Sequence, residues 1–191
     1  MSELRSRGNV TAVLSPADNH SEESTERELI GRIASGDRSA MNRLYVSYYS
    51  QLLNFFAILT TRADLVEELI VATMLKVWRE RATIEEKGTV AVWIMSIAYS
   101  YARNLVGDVV GSHRHAQPPV PHPNHGGRSV APVEMSSHTH DLLLGLPGEQ
   151  RAALHLAYAG GFSRQDIANI MQISGDRIQM LLTDARVRLR P

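Results

Sequence analysis

Apolar residues recur at intervals of three and four along residues 25–107, which is the spacing of one face of an α-helix. This spacing predicts four helices with enough apolar side chains to bury a core of their own. Gly36 and Asp37 are expected to end the first helix and to cap the second, a long apolar helix that ends near residues 60–61. Two capping boxes are predicted to begin the first and third helices: Thr25 with Glu28, and Asp64 with Glu67.

The same helical spacing returns over residues 139–191. Helices are predicted from Pro147-Gly148-Glu149 to the Gly160-Gly161 pair, from Arg164 to Met171, and from the cap residue Ser174 through Arg190. Ser163 and Asp166 form a third capping-box sequence. Two helices joined by the short turn 172–176, with the small residue Ala168 at the crossing, are typical of a DNA-binding helix-turn-helix.

The residues before and between these helical stretches lack this periodicity. Residues 1–24 are polar without periodicity and are predicted to form a disordered tail. Residues 108–138 are rich in proline, glycine and histidine, and because proline lacks the amide that a helix needs, they are predicted to form a flexible linker. The expected fold is therefore all-α, with helical domains at 25–107 and 139–191.

Composition limits the classes of function that the chain can have. Twenty Lys and Arg residues balance twenty Asp and Glu residues in a chain of 191, so any contact with nucleic acid must be local. Cysteine is absent, which excludes disulfides and thiolate zinc sites. The start has no apolar signal region and no apolar run is long enough for a membrane span, so a cytoplasmic protein without membrane insertion is expected.

No cofactor, metal site or catalytic residue is predicted. Six of the eight histidines lie in or just after the linker, but without the spacing of a helical site or interleaved carboxylates. The chain has no glycine-rich phosphate loop, nucleophile elbow or carboxylate pair clearly directed into a pocket. His155, between Leu154 and Leu156, is interpreted as a helix-surface or hydrogen-bonded histidine rather than a general base.

Several blocks resemble one known family. Glu67-Glu68-Leu69-Ile70 through Lys76-Val77-Trp78 resembles its "E-D-L-V-Q-E-x-F-L-x-x-W" helix, and Trp93-Ile94-Met95-Ser96-Ile97-Ala98 resembles "W-L-x-x-I-A". Leu146-Pro147 with Arg151 matches "L-P-x-x-x-R", and Gly161-Phe162-Ser163 through Asp166-Ile167-Ala168 matches "G-x-S-x-x-E-I-A". In this order the chain resembles an alternative RNA polymerase sigma factor of the extracytoplasmic-function type, with a region-two four-helix domain and a region-four helix-turn-helix domain.

The resemblance implies a transcription-initiation subunit that binds core RNA polymerase and promoter DNA, and that has an anti-sigma factor as a further partner. The polymerase-binding positions that it implies are Glu67, Glu68, Val71 and Ala72. The DNA-binding positions fall in two sets, one for melted promoter DNA and one for the upstream duplex: Lys87, Trp93, Tyr99 and Arg103; and Arg177, Gln179, Met180, Thr183 and Arg186. Helical spacing favours a core position for Trp93, whereas Tyr99 is expected to be exposed and able to stack on a base.

The chain departs from the family where DNA is read. Basic residues usual in the recognition helix are replaced by Gln179, Leu181 and Asp184, and each lost cation weakens sequence-independent affinity. A second hypothesis is therefore a degenerate sigma-like interaction protein that binds an anti-sigma factor or polymerase without reading DNA. A helix-turn-helix repressor would need a dimerisation element, which the first helical stretch does not resemble.

Overall fold

A computed structural model of the chain describes residues 26, 28–86, 89–107 and 142–189. Every regular element within these ranges is helical, and this confirms the predicted all-α fold class. The predicted tail and linker, the linker histidines, and the residues Thr25, Lys87 and Gly88 lie outside the described residues.

The helices form two groups along the chain. The first group contains α1 (28–34), α2 (Arg38–Ala57), α3 (Ala63–Arg79), a 3₁₀ segment (Arg81–Glu86) and α4 (Val90–Gly107). The second group contains a single turn at 142–144 and three helices: α5 (Gly148–Tyr158), α6 (Arg164–Met171) and α7 (Gly175–Arg188).

The junction between α1 and α2 follows the predicted capping pattern. Gly36 has a φ of +88°, a left-handed conformation that glycine adopts without strain. The Asp37 carboxylate accepts from the amides of Ser39 and Ala40 at 2.8 and 3.1 Å, and from the Arg32 guanidinium at 2.6 Å. The hydrogen bond from Arg32, followed by those from the two amides, lowers the pKa of Asp37 below its usual value.

The start of α3 differs from the prediction. Arg62 occupies the N-cap position without a side-chain cap, so the predicted capping box of Asp64 and Glu67 is wrong. The Asp64 carboxylate pairs with Arg62 at 2.6 Å, and Glu67 accepts a hydrogen bond from the Tyr49 hydroxyl at 2.8 Å. Both carboxylates are thus engaged by other side chains. The second helix also ends about three residues earlier than predicted, since α2 ends at Ala57.

Large apolar side chains fill the first group of helices. Phe55 and Phe56 of α2, Ile70 of α3, and Ile94 and Met95 of α4 are all fully buried. The rings of Phe55 and Phe56 contact each other with their centroids 5.5 Å apart. Burying side chains of this size is the main source of stability for the helices that carry them.

The second group is built around the helix-turn-helix. Ser163 accepts from the Asp166 amide at 3.2 Å, and the Asp166 carboxylate accepts from the Ser163 amide at 3.2 Å, which confirms the predicted capping box. Ser174 accepts from the Arg177 amide and caps α7 as predicted. Gln172 ends α6 in the left-handed conformation, with a φ of 56°.

The two groups share one continuous core. Helix α6 packs against α4, and α5 packs against both α4 and α2. Ile167, Ile170 and Met171 of α6 belong to the same buried cluster as Ile94 and Met95 of α4. Apolar surface of both groups is therefore removed from water by their mutual contact.

Replacing Ser163 with alanine tests the cap on which the orientation of α6 depends. We expect Ser163→Ala to lower the free energy of unfolding by about 1 kcal/mol, because the Asp166 amide loses its acceptor. Urea denaturation followed by circular dichroism measures the change. Ser163→Thr retains a hydroxyl and is the control; equal stability of the alanine and threonine variants would contradict the assignment.

Candidate nucleic-acid interface

Helix α7 turns one face to the core and the other to solvent. Ile178, Leu181 and Ala185 are buried against the rest of the second group. The side chains at the predicted duplex-binding positions on this helix are all exposed: Arg177, Gln179, Met180, Thr183 and Arg186. The structure thus leaves all five side chains accessible to solvent.

Arg177 is held by a residue of α5. Its guanidinium lies 3.3 Å from the Glu149 carboxylate, and both side chains remain about half exposed. An exposed pair of this kind contributes little to stability and exchanges readily with another anion. Arg177 can therefore leave Glu149 for a phosphate or a base edge.

Arg186 is held by α5 in a second way. Its Nε donates to the Tyr158 hydroxyl at 2.9 Å, Nη2 also donates to that hydroxyl, and the guanidinium carbon lies 5.7 Å from the Tyr158 ring centroid. Tyr158 itself is strongly exposed. Sequence reasoning missed Glu149 and Tyr158, since each lies 28 residues from its arginine and no local pattern links them.

Helix α4 presents fewer of its predicted residues. Trp93 is only 5% exposed, which confirms its predicted core position. Tyr99 is also 5% exposed, so the prediction that it is exposed is wrong. Burial raises the pKa of the Tyr99 hydroxyl, with a further increase from the nearby charge of Glu149 on α5 and a decrease from Arg103. Tyr99 is covered because the second group of helices packs on this side of α4.

Two neighbours of Tyr99 reach solvent instead. Tyr101 is among the exposed large apolar residues, and Arg103 is exposed as well. The Tyr101 ring is a stacking surface and the Arg103 guanidinium is a cation, the two kinds of group used to hold single-stranded nucleic acid. The two residues are about 200° apart around the helix and do not face each other. Tyr101 was not among the predicted DNA-binding positions, because its spacing with Ile94 and Ile97 is typical of a core residue.

Helix α3 carries the predicted polymerase-binding residues on a partly apolar surface. Glu68 and Val71 are exposed, while Glu67 and Ala72 are partly buried. Glu67 accepts the hydrogen bond of Tyr49, and burial together with this carboxylate raises the pKa of Tyr49 to about 12. Leu75, one turn after Val71, is half exposed and extends the apolar surface. The sequence prediction had not included Leu75.

His155 lies where the two groups of helices meet. Its ring centroid is 5.9 Å from that of Phe55 on α2, so it is neither an open surface histidine nor part of a polar site. Burial lowers the pKa of His155 to about 4. The neutral imidazole therefore packs as an apolar ring at neutral pH.

Two other kinds of site are absent from the part of the chain that the structure describes. No cluster of three or more His, Cys, Asp or Glu side chains there could hold a metal ion. None of the described helices has the length and hydropathy required to cross a membrane.

Comparison with known proteins agrees with this geometry. Residues 142–191 match the family described as Sigma-70, region 4. Over 171 residues the chain is 23% identical to the probable RNA polymerase sigma factor RfaY of Xanthomonas campestris pv. campestris, a match that covers 82% of this chain but 41% of that protein. It is 22% identical to the RNA polymerase sigma-H factor of Pseudomonas aeruginosa, covering 84% of this chain and 90% of the relative.

The fold is likewise similar to a solved structure. The sigma factor RpoE of Bartonella quintana, crystallised with the anti-sigma factor NepR, superposes with a TM-score of 0.56 at 26% identity, over 80% of this chain and 94% of that one. The helix-turn-helix and these matches make the chain similar to RNA polymerase sigma factors in sequence and in fold, as the sequence motifs had indicated.

The buried His155 gives a pH-dependent prediction. Because its pKa is lower in the folded chain than the ordinary 6.5, the unfolded chain binds the proton more tightly between pH 6.5 and 4. The contribution of neutral His155 to stability is therefore complete above pH 6.5 and decreases as the pH falls towards 4. The expected loss is on the order of 2–3 kcal/mol.

Thermal or urea unfolding of the native chain and of His155→Gln across this pH range measures the effect. The glutamine variant should lose less stability than the native chain on acidification, since its side chain does not titrate. Parallel stability curves for the two proteins would show that the histidine does not stay neutral at the Phe55 contact.

Proposed function

We propose that the protein binds core RNA polymerase and directs promoter-specific transcription initiation from the cytoplasm. The observation that carries the proposal is the capped helix-turn-helix, with exposed side chains along the outward face of α7. A helix held in this way can enter the major groove, which is wide enough to admit it. The proposal gives the protein no catalytic residue.

Helix α3 is the proposed polymerase-binding element. Val71 and Leu75 expose two apolar side chains one turn apart, next to the carboxylate of Glu68. Exposed apolar groups beside a charge are common in surfaces that bind another protein. The sigma factors among the relatives supply the identity of that partner, and this assignment is carried over by similarity.

Helix α4 is the proposed binding element for melted promoter DNA. Tyr101 and Arg103 are accessible for this role, whereas Trp93 and Tyr99 are buried. Use of Tyr99 as a stacking residue requires α6 to leave α4. The proposed domain limits, 25–107 and 139–191 with a linker between them, would permit this separation.

Two features favour the alternative of a sigma-like protein that binds a partner without reading DNA. Arg177 and Arg186 are both engaged by α5, and the Asp184 carboxylate is exposed on the same helix. The similar structure of RpoE contains the anti-sigma factor NepR, so an anti-sigma factor is a proposed partner under either function.

Transcription from a randomised promoter library distinguishes the two functions. Core RNA polymerase is incubated with the purified chain, the complex is isolated, and transcripts are sequenced. Specific initiation supports a sigma factor. Formation of the complex without specific transcripts would contradict the proposed function and favour the alternative.

A pair of matched variants tests the polymerase-binding surface. Val71 on α3 and Val46 on α2 are both about half exposed, so either can become aspartate without leaving a cavity. We expect Val71→Asp to weaken binding to core polymerase by about tenfold, because a carboxylate would be desolvated at the interface. Val46→Asp should bind as the native chain does.

Fluorescence anisotropy of the labelled chain, titrated with core polymerase, measures both affinities. An equal effect of the two substitutions, or no effect of Val71→Asp, would exclude this surface of α3 as the contact.

A further inference from the structure

The central row of the solvent-facing side of α7 contains no cation. At 100° per residue, the positions opposite the buried Ile178, Leu181 and Ala185 are Asp176, Met180, Thr183 and Val187. Met180 is 55% exposed and Val187 is 63% exposed. Between residues 180 and 187 the row therefore offers two large apolar side chains and the methyl group of a threonine.

The cations of α7 lie on either side of this row. Arg177 and Arg188 are on one side and Arg186 is on the other, as the helical periodicity requires. Cations that flank an apolar row are placed to meet the two phosphate backbones that border a groove. The charge arrangement therefore fits duplex DNA, with an apolar strip directed at the base pairs.

Two of the arginines that flank the row have partners on α5. Glu149 holds Arg177 and Tyr158 holds Arg186, so the side chains best suited to reading guanine are already engaged in this structure. Asp176 lies in the first turn of α7, beyond the 180–187 span, and Asp184 lies to the side of the row. The centre of this surface therefore presents apolar groups to the base pairs.

In the major groove the C5-methyl group of thymine is the apolar feature that a base pair presents. The span from Met180 to Val187 measures about 10 Å along the helix axis, or about three base-pair steps. Gln179 lies at the edge of the row, where its amide can form a bidentate pair with adenine, the partner base of thymine.

We propose that Met180, Thr183 and Val187 read thymine methyl groups in the major groove and so select an upstream promoter element rich in A·T pairs. This inference rests on the proposed function, since it requires that α7 enters DNA. It identifies the chemical group that is recognised, and it adds Val187 to the residues proposed to contact base pairs.

Deoxyuridine in place of thymidine tests the inference, because the two nucleosides differ by that methyl group alone. Holoenzyme is formed from core polymerase and the full chain, and an upstream element is selected from a promoter library. Binding to the selected duplex is then compared with binding to duplexes that carry deoxyuridine in one strand or the other. We expect a loss of about fourfold in affinity for each contacted methyl group.

Variants connect this loss to the named side chains. Met180→Gln and Val187→Ser replace exposed apolar groups with polar ones, and together they should remove the difference between thymidine and deoxyuridine. Val46→Ser, an equally exposed valine on α2, is the matched control and should respond as the native chain does. Melting temperatures of all variants establish that each is folded.

The outcomes are distinguishable. Specific transcription with equal binding to thymidine and deoxyuridine duplexes would overturn the inference and leave the proposed function intact. If the Met180 and Val187 variants weaken assembly with polymerase but deoxyuridine has no effect, the row contacts protein and the inference is likewise overturned. A complete absence of specific transcription would overturn both the inference and the proposed function.

Discussion

The packing of α6 on α4 determines which surfaces of the molecule are available. Each helix has apolar residues that would face water if the two groups of helices were apart, and in contact they form one buried cluster. The contact between Phe55 and His155 extends this cluster to α2 and α5. Because these side chains are shared, the accessibility of Tyr99 depends on a helix more than sixty residues away in the sequence.

This shared core divides the candidate DNA-binding residues into two classes. Those on α7 are exposed whether or not the groups separate, because α7 meets the rest of the protein through Ile178, Leu181 and Ala185 on its opposite face. Those on α4 include Trp93 and Tyr99, which are buried while the groups are in contact. Duplex binding by α7 and capture of a single strand by Tyr99 therefore have different conformational requirements.

Local chemistry made much of the fold predictable from sequence. The caps at Asp37, Ser163 and Ser174 depend on residues within three positions, and each was identified correctly. Asp64 and Glu67 show the limit of this reasoning. Their sequence matches a capping box, but Asp64 pairs with Arg62 and Glu67 accepts a hydrogen bond from Tyr49 of another helix. Exposure on α7 was predictable for the same reason, because its own periodicity defines the outward face.

Tyr99 and Tyr101 could not be assigned by periodicity within α4 alone. Periodicity within α4 predicts that one face of the helix is exposed to solvent. In the structure, helices from the other end of the chain cover that face, and the sequence of α4 alone does not predict this contact. The same holds for Glu149 and Tyr158, which hold the arginines of α7 across 28 residues. Long-range packing, rather than any failure of helical patterning, accounts for the residues that were missed.

The distance between the two groups of helices, with and without polymerase, tests the account most directly. The chain has no cysteine, so single cysteines introduced at the exposed positions Val46 on α2 and Asn169 on α6 accept a donor and an acceptor dye without competing sites. If α6 leaves α4 when the protein engages polymerase, energy transfer is high in the free protein and falls when core polymerase is added. Unchanged transfer in a complex that demonstrably forms and initiates transcription would contradict the requirement for separation.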